Sequence, residues 1–217
     1  NHAVRHAKGD YVAFLDDDDT WKPNKLERQI AIMGDAHMSL CGLERVPDAT
    51  TKIWSIDHVH LGMLKRGNPY CPPSGFICQR ALFDTVQFDE TLRYGEDWDF
   101  LIRAARLGPI PYVAEPLFNY QMPSQAGASM VNEIKQLQPQ QLQVRYDATD
   151  KHRAFLGEYH YNLRIATSTL AFISGRNQRM PFISHAMHKA GVIPTLHAIA
   201  NGAVRGLRKK LGGNPRM

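Results

Sequence analysis

The chain has 217 residues, 43% of them hydrophobic and 22% charged, which suffices for one sizeable domain with a helical appendage. Three irregularly spaced cysteines, Cys41, Cys71 and Cys78, argue against a disulfide framework or a zinc knuckle and fit a reducing compartment. The formal net charge of +5 and pI of about 9.2 leave room for an anionic ligand or a membrane surface without requiring one, and no apolar run approaches a membrane span.

Residues 1–8 read as the end of a helix, with Ala3 and Ala7 on one face and Gly9 as its C-cap. Residues 11–15 read as a short buried strand, followed directly by Asp16, Asp17, Asp18 and Asp19. Thr20 is placed to cap a helix with Pro23 in its first turn, and Leu26, Ile30 and Met33 give its apolar stripe. A second strand is expected over 38–45, weak extended signal over 51–59, a short helix to Lys65 and a loop over 69–73. A strand over 75–78 and a short helix over 80–86 lead to an amphipathic helix over 96–107, with Trp98, Leu101, Ile102 and Ala105 on one face. Residues 111–114 and 117–120 read as extended. Strand signal then fades, and helices are expected over 152–173, 181–190 and 195–211, the first with a stripe of Phe155, Tyr159, Leu163, Ala166 and Leu170. The rhythm is α/β to about residue 130 and helical over 131–217. No signal peptide is visible, and a chain that starts with Asn1 rather than Met reads as a fragment.

The four aspartates fall where the strand ends, the edge at which open α/β sheets bind ligands. Four carboxylates cannot all stay ionised at close quarters in a dry site, because like charges push protons back on. A divalent cation such as Mg²⁺ or Mn²⁺ relieves that conflict and often binds through one or two carboxylates plus substrate phosphates. The plainer alternative is a solvated acidic turn with Asp19 or Thr20 as a helix cap. The spacing fits no EF-hand loop, and neither a GxxxxGK loop nor a GxGxxG fingerprint is present. A second acidic segment, Tyr94-Gly95-Glu96-Asp97-Trp98-Asp99, opens the amphipathic helix. Its acids either complement the helix dipole, worth about 0.3–1 kcal/mol, or supply a general base for a hydroxyl. Asp99 is expected on the surface or behind the other two.

Phe14-Leu15-Asp16-Asp17-Asp18-Asp19 with Trp21, Pro23, Lys25 and Leu26 resembles the donor-metal segment of the family-two glycosyltransferases. The lead-in Asn1, Ala3, Ala7 and Gly9, the segments Ser74-Gly75-Phe76 and Phe88-Asp89-Glu90, and Glu96-Asp97-Trp98-Asp99 with Arg103 and Gly108 continue the resemblance in order, over residues 1–120. It implies a GT-A-like fold, a three-layer sandwich of the nucleotide-diphospho-sugar transferases, truncated at its N-terminus and followed by a helical C-terminal region. The expected domains are thus a partial GT-A-like catalytic domain over 1–130 and a helical extension over 131–217. The resemblance also implies inverting sugar transfer from a nucleoside-diphosphate sugar to a hydroxyl. Asp97 matches the base with Glu96 beside it, Asp18 and Asp16 match the metal carboxylates, and Asp16 and Asp17 lie on the nucleotide side. The run leaves a second register open, Asp17 with Asp19. Two departures stand out. The family's nucleotide-binding front does not precede Asn1, and Asn119-Tyr120-Gln121-Met122-Pro123 lacks the histidine of a Tyr-Arg-x-His-like pattern.

Trp21 is expected to pack, Arg80 and Arg103 to balance carboxylates or lie on the surface, and the cysteines to be buried or incidental. Arg205, Arg208, Lys209 and Lys210 beside Leu207 and Leu211 suit either a membrane surface or an ordinary solvated helix end. No reading motif for nucleic acid is present. The expected partners are a nucleotide-sugar donor and a glycan or lipid-linked glycan acceptor, in the cytoplasm or at the inner face of the membrane. Cell-surface polysaccharide synthesis is the setting expected. A non-catalytic glycan-binding or assembly domain is the alternative, and a metal-dependent phosphohydrolase a remoter one.

Overall fold

Residues 38–46 and 110–121 form the two longest strands, β3 (Met38–Val46) and β7 (Ile110–Gln121), which pair in parallel. Every residue from Met38 to Leu43 is buried, as expected of a strand covered on both faces. The computed structural model describes residues 1–67, 71–122 and 130–210, with side chains to 207. The chain divides into two compact units, Asn1–Thr91 with Gly95–Pro123, and Leu92–Tyr94 with Ser124–Met217.

The first unit is built on a mixed sheet. Besides β3 and β7 it contains β1 (Tyr11–Ala13), β2 (Thr20–Trp21), β4 (Thr50–Lys52), β5 (His58–Val59) and β6 (Ile77–Gln79). The order is β1-β6-β3-β7-β2, with β4 beside β3 and β5 beside β7. Only the β3–β7 pair is parallel among the described strands. Its register shifts on either side of Gly42, from Cys41 opposite Val113 to Leu43 opposite Phe118. Four helices accompany the sheet: α1 (His2–His6), α2 (Lys25–Met33), α3 (Leu61–Arg66) and α4 (Glu96–Ala105). Short 3₁₀ turns occupy Pro73–Gly75 and Arg80–Asp84.

Several local expectations change. Helix α1 ends at His6, where Ala7 turns extended, so Gly9 is not its cap. Strand β1 stops at Ala13, and Tyr11 and Leu15 are exposed because β1 pairs with β6 alone. Thr20 caps nothing. It lies in β2 opposite Asn119, whose Nδ2 donates to Thr20 Oγ1 at 3.0 Å. Helix α2 starts after Asn24 and is turned from the expected face, burying Lys25, Gln29 and Met33 while Leu26 and Ile30 are exposed. The cause is polar. Gln29 Nε2 donates to Ser39 O at 3.1 Å and Gly75 O at 3.0 Å, joining α2 to two segments of the core. Lys25 Nζ sits 4.5 Å from the Trp21 ring centroid, and burial lowers its pKa. Asp99 is fully buried rather than on the surface, paired with Arg103 Nη2 at 2.6 Å one helical turn later. The three cysteines are buried with free thiols, and burial pushes the Cys41 thiol up to about 12, so they are packing residues. The loop expected over 69–73 lies partly outside the described residues.

The second unit is helical: α5 (Met130–Gln136), α6 (Asp147–Lys151), α7 (Arg153–Thr169), α8 (Met180–Ala190) and α9 (Val192–Lys210), with 3₁₀ turns at Pro139–Arg145 and Ile173–Gly175. Its core gathers Leu142, Tyr146, Ile165, Ala166, Leu170 and Phe182 with small alanines of α8 and α9. The long helix expected over 152–173 is broken at Gly157, whose φ of 69° is non-helical. Of the expected stripe, Ala166 and Leu170 are buried and Leu163 packs against them, whereas Tyr159 is exposed and Leu156, Ile165 and Thr169 are buried in addition. Among the described residues, no helix is long and apolar enough to cross a membrane.

Gly75 makes the tightest approach in the first unit. A Cβ there would lie 2.4 Å from Cys71 Sγ and 3.0 Å from the Phe118 ring. Gly75→Ala should lower stability by about 1–3 kcal/mol through overpacking, read as a lower denaturant midpoint. An unchanged midpoint would show that the packing can give way.

Candidate functional site

The acidic run leaves β1 and turns back into β2, so both of its ends are held by strands. Asp19 N donates to Asp16 O at 3.1 Å and closes the turn. At the front, the Asp16 amide donates to the hydroxyl of fully buried Ser74 at 3.0 Å. The carbonyl of the same serine accepts the Trp21 indole N–H at 3.1 Å, so Ser74 grips the segment twice. At the back, Asp19 Oδ1 accepts the Gln121 amide of β7 at 2.9 Å.

The four acids are not equivalent. Asp16, Asp17 and Asp18 are exposed, whereas Asp19 is 5% exposed. Its second oxygen, Oδ2, is buried without a hydrogen-bond partner. The Asp16 carboxyl is crowded by protein despite its exposed surface. Partial desolvation is the largest cause of its raised pKa, and the charges of Asp19 and Asp18 add to it, against a hydrogen bond from Ser74.

The second acidic segment is set by a left-handed turn. Gly95, at φ 78° and ψ 18°, precedes α4, a conformation in which any side chain costs about 1–2 kcal/mol. Glu96, Asp97 and Asp99 then occupy the first turn of the helix. Glu96 and Asp97 are half-buried, and Asp97 Oδ1 accepts the Trp98 amide at 2.6 Å. Burial raises the Glu96 pKa first, then the charge of Asp97, then that of Asp16. The two acidic segments, eighty residues apart in sequence, are joined by side-chain packing. A ladder of rings runs between them. Phe14 meets Phe88 edge-on at 5.5 Å, and Phe88 stacks on Phe100 of α4 at 4.4 Å. Asn1 fixes Phe88 from behind, donating to Phe88 O at 2.8 Å and accepting its amide at 3.0 Å.

The expected site residues fall into two groups, Asp16, Asp17 and Asp18 on the turn and Glu96 and Asp97 on α4. Trp21 packs, as expected, over Lys25. Arg80 donates to Gly9 O at 2.9 Å rather than to a carboxylate. Arg103 binds Asp99 and not the turn. Ser74 and the buried role of Asp19 are not readable from the sequence, since hydroxyl and carboxylate meet their partners only across strands. Asn119–Gln121 lie within β7, and Pro123 lies outside the described residues. Among the described residues, no three His, Cys, Asp or Glu side chains gather as a ready-made metal cluster. The donor chemistry of the turn still suits a hard cation, because it is all oxygen, mutually repelling, and includes one buried unpartnered carboxylate oxygen.

Residues 1–90 match the profile of the family described as Glycosyl transferase family 2. Over 154 residues the chain is 27% identical to the amylovoran biosynthesis glycosyltransferase AmsB of Erwinia amylovora, covering 61% of this chain and 49% of that protein. Over 130 residues it is 22% identical to the uncharacterized glycosyltransferase RT0329 of Rickettsia typhi, covering 54% of this chain and 41% of that protein. The chain thus spans half or less of the length of these two relatives. The crystal structure of S. aureus TarS 1–349 in complex with UDP-GlcNAc has the same fold with a TM-score of 0.59 at 16% identity, covering all of this chain and 72% of that one. The first 90 residues thus resemble family-two glycosyltransferases, and the fold is a mixed sheet flanked by helices with a helical C-terminal region.

Two outcomes follow for the turn. Asp19→Ala removes the acceptor of the Gln121 amide and should destabilise by about 1–3 kcal/mol. Asp19→Asn keeps an acceptor but deletes a charge, and should lower the Asp16 pKa in an NMR titration. An Asp16 titration unmoved by Asp19→Asn would contradict the coupling. For Glu96 the sign runs the other way from a salt-bridged acid. A raised folded-state pKa means that the folded chain holds the proton longer than the unfolded one. Its stabilising contribution is then full below the ordinary carboxylate range and is lost as pH rises through the raised value. Glu96→Gln should flatten that loss in thermal melts taken from about pH 4 to 7. Parallel pH profiles for the two proteins would exclude it.

Proposed function

We propose that this chain carries the acceptor-side and metal-side acids of an inverting, GT-A-type glycosyltransferase, which moves a sugar from a nucleoside-diphosphate donor to a hydroxyl. The observation that carries the reading is the ring ladder from Phe14, two residues ahead of the acidic turn, through Phe88 to Phe100 of α4, which ties the two acidic segments to one support. The family match over residues 1–90 and the likeness to glycosyltransferases named for polysaccharide synthesis support it.

In this reading Asp97 accepts the proton of the acceptor hydroxyl as its oxygen attacks the anomeric carbon. The bond from that carbon to the diphosphate oxygen breaks on the opposite side, the nucleoside diphosphate leaves, and the configuration inverts. Glu96 stands beside Asp97 at the same helix start, its pKa raised first by burial and then by the charge of Asp97. Asp18, with Asp16, would hold a Mn²⁺ or Mg²⁺ ion, and Asp16 and Asp17 face the nucleotide. The cation supplies electrostatic stabilisation of the charge building on the departing diphosphate. Ser74 and the Gln121 amide hold the turn so that its carboxylates need not reorganise. In this reading residues 1–130 are the catalytic core and residues 131–217 a helical extension. A glycan or lipid-linked glycan of a bacterial cell-surface polysaccharide is the proposed acceptor, met in the cytoplasm or at the inner face of the membrane.

Calorimetry with Mn²⁺ and a panel of uridine, guanosine and thymidine diphosphate sugars tests the donor site. UDP-GlcNAc heads the panel because it is the molecule bound to TarS in the matching fold. Asp97→Asn should lower sugar transfer by about 10²-fold or more while donor binding is retained. Full transfer by Asp97→Asn would remove it as the base. Glycan binding indifferent to metal and to Asp18→Asn would favour a non-catalytic glycan-binding domain instead.

A further inference from the structure

Charge is distributed unevenly along this chain. Residues 159–217 contain nine Lys and Arg and no Asp or Glu, so the preceding 158 residues carry a net charge of −4 and the whole positive excess belongs to the C-terminal end. The last described helix, α9, crosses this acid-free stretch. It docks on the second unit through small residues, with Thr195 and Ala198 buried and Ala198 in the core with Ala186 and Ala190 of α8. Much of the rest of its described surface is apolar and uncovered. Val192, Ile193, Leu196, Ile199, Val204 and Leu207 are all exposed, Ile193 by 73%. At 3.6 residues per turn these six fall within an arc of about 140°, with alanines 200 and 203 inside it. Scattered surface leucines need no explanation, but one continuous stripe from Val192 to Leu207 does.

Two properties of the stripe identify its partner. Its apolar width exceeds the narrow seam of a two-helix coiled coil, and the helix has no acidic residue with which to pair its own basic ones across a symmetric interface. Its polar residues are neutral or basic, with Arg205 exposed and Arg208, Lys209 and Lys210 following in sequence. The side chains of these last three, and Leu211, lie outside the described residues. An apolar stripe bordered by cations and free of anions is the pattern of a helix lying in a membrane interface, its apolar side among acyl chains and its cations among anionic headgroups. We propose that α9 is such a membrane-surface helix, and that its partner is an anionic lipid bilayer. The inference rests on charge and exposure in the second unit and does not depend on the sugar-transfer reading.

Vesicle flotation with the whole chain tests this, using phosphatidylcholine alone and phosphatidylcholine mixed with phosphatidylglycerol, without donor or cation. The chain should bind the mixed vesicles at least about tenfold more tightly, and added salt should weaken that binding. Ile193→Glu with Leu196→Glu should reduce it at least about tenfold with the circular dichroism unchanged, since both side chains are exposed. Arg205→Glu, which leaves the stripe intact, should weaken binding to mixed vesicles only. Equal affinity for the two vesicle types, or binding that survives Ile193→Glu with Leu196→Glu, would overturn the proposal. So would failure to float combined with self-association that the same double variant abolishes, because a second copy of the chain would then be the occupant. The assay contains no donor sugar, so its outcome stands whether or not the chain transfers one.

Discussion

Four carboxylates on one turn repel each other, and the fold keeps them together with hydrogen bonds that come from elsewhere in the sheet. The Ser74 hydroxyl takes the Asp16 amide, and Asp19 takes the Gln121 amide. Much of the first unit exists to place those two partners. Gln121 is the last residue of β7, the strand that pairs with β2, β3 and β5. Ser74 lies in the turn ahead of β6, where its neighbour Gly75 is pressed against Cys71 and Phe118 and offers its carbonyl to Gln29. Release of either bond would let electrostatic repulsion, rather than the sheet, set the conformation of the turn.

The buried polar groups of α2 and α4 serve the same framework. Gln29 satisfies carbonyls of Ser39 and Gly75, and Arg103 pairs with the buried Asp99 one turn earlier in the helix that starts with Glu96 and Asp97. Such groups add little net stability compared with apolar packing, yet removal of one partner leaves the other buried and unsatisfied. They favour one register of helix on sheet. The aromatic ladder from Phe14 through Phe88 to Phe100 then ties the end of β1 to α4, so the two acidic segments share a common support.

What the sequence made legible divides along a physical line. Long apolar segments were readable: β3 falls where the run of 38–45 predicts, β7 joins the two expected segments 111–114 and 117–120 into one strand, and α4 buries the expected Trp98, Leu101, Ile102 and Ala105. Faces decided by polar partners were not. The sequence of α2 offers Leu26, Ile30 and Met33 as a stripe, but hydrogen bonds to Gln29 and the Trp21 ring over Lys25 turn the helix about its axis. In the helical unit, Gly157 breaks an otherwise continuous pattern. At the candidate site the chemical types of Asp16–Asp19, Glu96 and Asp97 were legible from order and spacing. Their inequality was not, because Asp19 is buried by a strand one hundred residues away.

The central claim is that the acidic turn and the first turn of α4 form one site. Addition of substoichiometric Mn²⁺ with a nucleoside diphosphate to isotope-labelled protein tests it most directly, since the paramagnetic ion broadens every resonance near it. The account predicts simultaneous loss of signals from Asp16, Asp17, Asp18, Glu96 and Asp97. Broadening confined to the turn, with Glu96 and Asp97 untouched, would separate the two acidic segments and contradict it.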